Sequence, residues 1–176
     1  MKKYSAKQQG MVFITMLLFI SLISLLLIYM QQSVALQRRI NHNRYLYLQS
    51  RQAARIALVN AYQSLKSGDT SCQQQPMSVT EILSKSNDWW LSSQTCHGHS
   101  AHLTYQYVVS HLQQDDCAEF EHQMADYWRI TARASIRQQE QVILQATVVL
   151  PIQAEEACAR TKRVLTNGWQ SFRQLS

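Results

Sequence analysis

The stretch KQQGMVFITMLLFISLISLLLIYM, Lys7 to Met30, decides the fold of this 176-residue chain. It runs from a lysine through Gly10 into twenty consecutive residues without a charge. At about 1.5 Å per residue, a helix of this length covers roughly 30 Å, which is enough to cross a bilayer. Residues 11–30 are therefore predicted to form a transmembrane helix.

The charges on either side of this segment predict its orientation. Lys2, Lys3 and Lys7 precede the segment, whereas Gln31 to Gln37 carries no charge. Lysine and arginine accumulate on the cytoplasmic side of a membrane span. We therefore expect the N-terminus to stay in the cytoplasm and everything after Met30 to be exported.

The overall charge and composition restrict the function classes. The formal net charge is +6, and the part after Gly10 keeps only +3 of it. A net charge this small argues against nucleic acid as a partner. The chain shows no nucleophile motif, phosphate-binding glycine loop or paired carboxylates in a recognisable setting. The prediction is a protein that is not an enzyme, with no cofactor and no metal.

The helical pattern continues beyond the apolar segment. Gln31 to Lys66 contains neither Gly nor Pro, and apolar residues recur at three-, four- or seven-residue spacing. They are Leu36, Ile40, Tyr47, Ala54, Leu58, Ala61 and Leu65. The opposite side carries Arg38, Arg44, Arg51 and Arg55, which we interpret as a solvated face. Residues 31–67 are thus predicted to be an amphipathic continuation on a protein surface, ended by Ser67-Gly68-Asp69.

Residues 68–176 are predicted to form a domain with a small β-sheet. Residues 78–84 suit a short helix and residues 102–112 a strand. From Tyr127 to Arg137 apolar and polar residues alternate, which predicts a strand with one dry and one wet face. Residues 137–140 turn the chain, and 141–150 form the return strand. The fold class is α+β, with the amphipathic helix covering the dry face of an antiparallel meander.

Four cysteines lie in this exported part of the chain: Cys72, Cys96, Cys117 and Cys158. An even number in an oxidising compartment predicts disulfides. Three pairings are possible. Loop closure favours the sequential one, Cys72–Cys96 and Cys117–Cys158, because it closes two moderate loops without crossing.

Several segments resemble a known family. The basic leader ending in Gln9-Gly10-Met11, the apolar span and the continuing helix resemble type IV pilins. Within that group the chain is similar to the PilX-type minor pilins, in YWRITAR (127–133), VILQ (142–145) and GWQSFR (168–173). The resemblance implies the type IV pilin fold, with a long N-terminal helix packed on a small antiparallel sheet.

The resemblance also implies processing and partners. Residues 1–10 would be a leader that a prepilin peptidase removes between Gly10 and Met11, with N-methylation of Met11. The partners would be other minor pilins, the major pilin and the inner-membrane assembly platform, and the family allows a large tip adhesin as well. The final location would be the pilus tip at the cell surface.

Thr15 departs from the pilin pattern. The fifth residue after the cut is usually Glu in filament-forming pilins, and here it is Thr15. A carboxylate in a bilayer costs on the order of 3 kcal/mol, and a neighbouring subunit's amine can compensate for it. A subunit without the carboxylate cannot attract a subunit above it, but its own amine can still attract one below. Thr15 therefore favours a priming or tip role.

Two other functions remain open, together with a different processing site. The chain could be a minor pseudopilin of a type II secretion system, or a single-pass anchored periplasmic binding domain. Ser33-Val34-Ala35 mimics a signal-peptidase site, although the apolar segment is longer than that of a signal peptide.

Three local patterns each have a functional and a structural interpretation. Cys96, His97, His99 and His102 could be metal ligands, but their spacing fits no standard zinc site and favours a disulfide beside a solvated loop. Trp89-Trp90 could contact a partner, although a core position is favoured. Asp115, Asp116, Glu119 and Glu121 lack calcium-loop spacing and suit a solvated acidic turn.

Overall fold

The computed structural model describes residues 6–100, 103–136, 140–153, 158 and 161–175. The helices are α1 (Ala6–Lys66), α2 (Val79–Ser84) and α3 (Asn87–Trp90). The strands are β1 (Cys96–Ser100), β2 (Leu103–Phe120), β3 (Gln123–Ile136), β4 (Glu140–Ile152), β5 (Arg163–Leu165) and β6 (Trp169–Gln174).

The chain divides into two compact units, Met1–Tyr45 and Leu46–Ser176. All residues from Met11 to Tyr45 are exposed, including Leu36 and Ile40, which are 60% and 57% accessible. The prediction that the apolar side chains of these two residues pack against a protein surface is therefore wrong within this chain. The sheet covers only the later turns of α1, where the packed side chains begin at Tyr47.

The end of α1 is where the sequence predicts it. Gly68 has a φ of +80°, in the left-handed region that glycine adopts without a steric penalty. Its N–H donates to the carbonyl of Leu65 (3.0 Å), and Asp69 N–H donates to that of Ser64 (2.9 Å). These bonds satisfy carbonyls that the last helical turn leaves open. The helix therefore stops after Lys66.

The second unit contains a predominantly antiparallel sheet. In the described part of the chain it has six strands in the order β1-β2-β3-β4-β6, and β5 pairs in parallel with the end of β2. The predicted meander is confirmed as β2, β3 and β4. Strand β2 is longer than predicted, since the polar residues 113–115 still pair with residues 125–127. Residues 137–139 of the predicted turn lie outside the described residues.

Strand β1 corrects the prediction that His97-Gly98-His99 is a solvated loop. Residues 96–100 pair with residues 103–107, and Gly98 lies opposite Tyr105. A side chain on Gly98 would collide with the Tyr105 ring. The aromatic ring covers the bare glycine backbone, which makes a glycine suitable for an edge strand here.

The core lies between α1 and the face of the sheet that we call the inner face. Helix α1 contributes mainly small residues, and the sheet contributes large ones. The helix side consists of Ala53, Ala54, Ala57, Leu58, Ala61 and Leu65, all at most 5% exposed. Trp128 and Ile130 of β3 and Leu144 of β4 pack against them. The predicted layout, an amphipathic helix covering the dry face of an antiparallel sheet, is confirmed.

The opposite, outer face of the sheet is partly covered, contrary to the prediction of a wet face. Thr131 is 3% exposed and Arg133 only 1%. Ile82 of α2 and Trp90 of α3 pack on Ile143 at one end of this face. At the other end, Leu165 of β5 packs in a cluster with Phe120 and Val149. The short helices and β5 therefore bury part of the outer face, although its polar residues predict a solvated surface.

Candidate functional site

The predicted processing site lies within a helix. Gly10 and Met11 both belong to α1, and Met11 is 73% exposed. The peptide bond between them is therefore part of the continuous helical backbone, several residues after the first helical residue, Ala6.

Every residue of the apolar segment 11–30 is exposed. Among the described residues, one helix is long and apolar enough to cross a membrane, and it lies near the N-terminus. Phe13, Phe19 and Tyr29 are 65%, 71% and 73% exposed. An apolar surface of this extent needs either lipid or other protein chains to cover it.

The apolar segment contains three aliphatic hydroxyl groups, those of Thr15, Ser21 and Ser24, and each is satisfied within the helix. Thr15 Oγ1 donates to the carbonyl of Val12 (2.9 Å). Ser21 and Ser24 donate in the same way to carbonyls three and four residues earlier, both at 2.8 Å. Because polar groups in hydrocarbon must find internal partners, this bonding makes the segment compatible with a bilayer. Thr15 is neutral, so this position lacks the charge that a glutamate would supply.

All four cysteines are disulfide-bonded. Cys72 joins Cys96 with Cα atoms 5.5 Å apart, and Cys117 joins Cys158 with Cα atoms 5.0 Å apart. These are the sequential pairs that loop closure favoured. The first bond ties the loop after α1 to the edge strand β1, and the second anchors residue 158 to β2.

Two of the residues considered as metal ligands, Cys96 and His97, have other partners. The sulfur of Cys96 is in a disulfide. The Nε2 of His97 lies 3.2 Å from Thr95 Oγ1 and 3.1 Å from the Ser92 carbonyl oxygen. His102 lies outside the described residues. No group of three or more His, Cys, Asp or Glu side chains among the described residues is arranged around a possible ion position.

The acidic residues 115–121 do not form one solvated turn. Asp115, Asp116 and Glu119 belong to β2, and only Glu121 lies in the turn, with a φ of 52°. Asp115 forms a salt bridge with Arg163 (3.1 Å). Backbone pairing of β2 with β3 and β5 extends the strand through these residues, although their side chains are acidic.

The two neighbouring tryptophans have different environments. Trp90 is 1% exposed, and the Arg133 guanidinium lies 5.6 Å from its ring centroid. Trp89 is half-buried, with Lys85 Nζ 5.2 Å from its ring centroid. The core interpretation thus holds for Trp90, which forms part of the cover of the outer face.

Sequence reasoning missed a polar cluster on the inner face. The carboxylate of Asp126, 7% exposed, accepts a hydrogen bond from Trp128 Nε1 (2.7 Å). Its other oxygen lies 2.6 Å from His111 Nε2. The His111 and Trp128 rings meet edge to face with centroids 5.0 Å apart. Only the register that places His111 opposite Trp128 brings the three together.

Sequence reasoning also missed that arginines from different strands lie near each other on the outer face. Alternation along β3 places Arg129 and Arg133 on one side, but their neighbour Arg173 comes from β6, far along the chain. Arg173 donates from Nε and Nη2 to Gln145 Oε1, at 2.9 and 2.5 Å. Burial, and then the positive charge of Arg173, lower the pKa of the Arg129 guanidinium.

Comparison of the chain with protein-family models, with curated proteins and with solved structures gives no significant match.

Proposed function

We propose that this chain is a minor pilin of a type IV pilus that belongs to the complex which primes assembly and occupies the tip. It is made as a prepilin in the inner membrane, with the N-terminus in the cytoplasm and the sheet domain in the periplasm. Its role in this proposal is structural rather than enzymatic.

One observation carries the proposal: the helix that could cross a membrane is continuous with the helix that packs on the sheet. Helix α1 runs from Ala6 through the apolar segment 11–30 to Lys66 without interruption. A plain membrane anchor needs no such continuity with the exported core. A filament subunit does, because the apolar half must exchange lipid for neighbouring subunits while the same helix carries the exported domain.

Thr15 supports a position at the tip. A carboxylate at this position would attract the N-terminal amine of a subunit above, and Thr15 instead donates its hydroxyl to its own helix. The charged amine of this chain would still attract the glutamate of a subunit below. Contacts with other minor pilins, the major pilin and a tip adhesin follow from this arrangement as part of the proposal.

Cleavage is tested by the intact mass and N-terminal sequence of the chain from membranes with and without prepilin peptidase. We expect the loss of residues 1–10 and the gain of one methyl group on Met11 only when the peptidase is present. An uncut chain in both membranes would favour the anchored binding domain. A new N-terminus at Leu36 would show cleavage by signal peptidase instead.

The priming role needs a separate experiment. A strain lacking the chain should make few pili, and expression of the natural chain should restore them. The Thr15→Ala chain, which also lacks a carboxylate, should restore them equally well. Normal pilus numbers in the deletion strain would contradict the priming role, even if the chain is cut after Gly10.

A further inference from the structure

Between its two covered ends, the outer face is partly open on β3, β4 and β6. Alternation in β3 and β4 puts Arg129, Thr131, Gln145 and Thr147 on this face, since directly opposed residues share a side. The short helices cover the end at Ile143, and β5 covers the end at Val149. Arg129 and Thr147 are half-buried, while Ser171 and Arg173 are exposed. The open zone therefore crosses three strands, from Arg129 on β3 over Thr147 on β4 to Ser171 on β6, whereas Ser110, Thr131 and Gln145 are buried.

The charge in this zone is positive and uncompensated among the described residues. Neither Arg129 nor Arg173 lies within salt-bridge distance of a described carboxylate. The described salt bridges instead use Lys85, His111, His122, Lys162 and Arg163. Arg129, whose guanidinium carries five N–H donors, also makes no hydrogen bond with another described residue.

The two guanidinium groups repel each other and cannot relieve this by losing protons. The pKa of Arg129 is lowered first by burial and then by the charge of Arg173, yet an arginine stays charged in proteins. Two hydrogen bonds to Gln145 hold Arg173 in place, and Gln145 is itself held by its bond to Thr131 (3.0 Å). Arg173 is therefore held in place before any ligand arrives, which lowers the entropic cost of its contact with the ligand.

We infer that this zone binds a carboxylate-bearing, extended segment of another protein, with Arg129 and Arg173 as its cationic contacts. The guanidinium fork matches a carboxylate in shape and charge. Thr147 and Ser171 offer hydroxyls between the arginines for the backbone of the segment. The described residues place two cations in the zone, Arg129 and Arg173, and two charges suit a few carboxylates better than the dense charge of a nucleic acid. The inference does not depend on cleavage after Gly10.

The test uses the full chain in neutral detergent and a fluorescent polyglutamate peptide of about six residues, enough to cross three strands about 4.8 Å apart. Binding is followed by fluorescence anisotropy, with a polyglutamine peptide of equal length as the uncharged control. We expect polyglutamate alone to bind, and more weakly as salt rises, because exposed ion pairs are screened. No binding of polyglutamate at low salt would overturn the inference.

Substitutions then locate the contacts. Arg129→Gln and Arg173→Gln should each weaken binding about fivefold, as expected for partly exposed ion pairs. Arg55→Gln is the matched control: it removes the same charge from α1, where Arg55 stacks on Phe172. An equal loss in Arg55→Gln would show a diffuse effect of net charge and would contradict the site. Unchanged thermal unfolding of the variants checks that the sheet remains intact.

Two further readouts separate a peptide site from other outcomes. The side-chain Nε–H NMR signals of Arg129 and Arg173 should move on titration with polyglutamate, while that of Arg55 stays fixed. Inorganic sulfate should displace the peptide only at concentrations that screen charge generally. Displacement by sulfate as efficiently as by unlabelled polyglutamate would show a small-anion site and overturn the inference of an extended acidic partner.

Discussion

At the scale of single residues, the most constrained polar group is the Asp126 carboxylate. It is almost fully buried, and it is the acceptor that the Trp128 indole N–H uses. A buried donor that loses its acceptor costs more than the hydrogen bond itself contributed, because the donor stays desolvated. Asp126 thus orients the Trp128 ring at the margin of the core, with His111 on the other oxygen.

Replacing Asp126 by Ala should lower the free energy of unfolding by about 1–3 kcal/mol, since the Trp128 N–H is left without an acceptor. Asp126→Asn keeps one carbonyl oxygen and should lose less. Denaturant unfolding in detergent, followed by tryptophan fluorescence, measures both. Asp116→Ala is the control, because Asp116 is an exposed acid of the same strand. Equal losses at positions 116 and 126 would argue against the hydrogen-bond explanation.

Gly68 gives a second prediction at this scale. Nothing lies within 4 Å of the position that a Cβ atom would take, so Gly68→Ala tests the backbone alone. A side chain at a φ of +80° should reduce the free energy of unfolding by roughly 1–2 kcal/mol. Gly68→Asn should cost less, because asparagine tolerates the left-handed region. A stabilising Ala variant, measured by denaturant unfolding, would contradict the C-cap assignment.

At the scale of elements, the packing of α1 depends on its alanines. Ala53, Ala54, Ala57 and Ala61 are essentially inaccessible and lie where the helix approaches Trp128, Ile130 and Leu144. Small residues on the helix leave room for large ones on the sheet, so that the two layers fill the space at native density. The hydroxyl groups of Tyr105 and Tyr107 then reach Asn60 (2.5 Å) and Ser64 (3.3 Å) at the margin.

Enlarging one of these alanines should separate helix and sheet. Ala57→Leu adds volume to a filled core, and we expect a loss of about 1–3 kcal/mol in the free energy of unfolding. Gln52→Leu introduces the same side chain on the exposed side of α1 and should change it by less than about 0.5 kcal/mol. Calorimetric midpoints of the two variants provide the comparison. A larger effect at Gln52 would mean that the inner face is not the buried one.

At the scale of the whole molecule, the two disulfides connect segments that lie far apart in the sequence. The loop after α1 reaches the edge strand β1 through Cys72–Cys96, a sequence separation of 24. Cys158 follows β4 and is joined to β2 across a separation of 41. Each bond restricts the unfolded chain, and the longer loop loses more entropy.

Removing each bond should therefore destabilise the domain to a different extent. The Cys72→Ser/Cys96→Ser variant should lose about 3.5 kcal/mol, and Cys117→Ser/Cys158→Ser slightly more, about 4 kcal/mol, by the loop-entropy relation. Denaturant unfolding of the oxidised variants gives both values. Peptide mapping of the natural chain without reductant should recover the same two pairs, and a Cys72–Cys117 peptide would contradict this structure.

The sequence by itself determined the elements whose signals are local. A charge-free segment of twenty residues after Gly10, the helix end at Gly68 and the alternation of Tyr127 to Ile136 each depend on neighbours within a few positions. Periods of 3.6 and 2 residues also specify which side of each element is apolar, so the covering of the inner face by α1 was predictable.

Only the tertiary structure decided the rest of the outer face and the polar sites. Arg133 is buried because Asn87 and Trp90, more than forty residues earlier, close over it. Arg173 reaches Gln145 across a separation of 28, and His111 reaches Asp126 across 15. Such contacts follow from strand order and register, which local periodicity does not encode. The same reason explains why β1 forms: the Tyr105 ring on the next strand covers Gly98, and nothing in residues 96–100 alone indicates it.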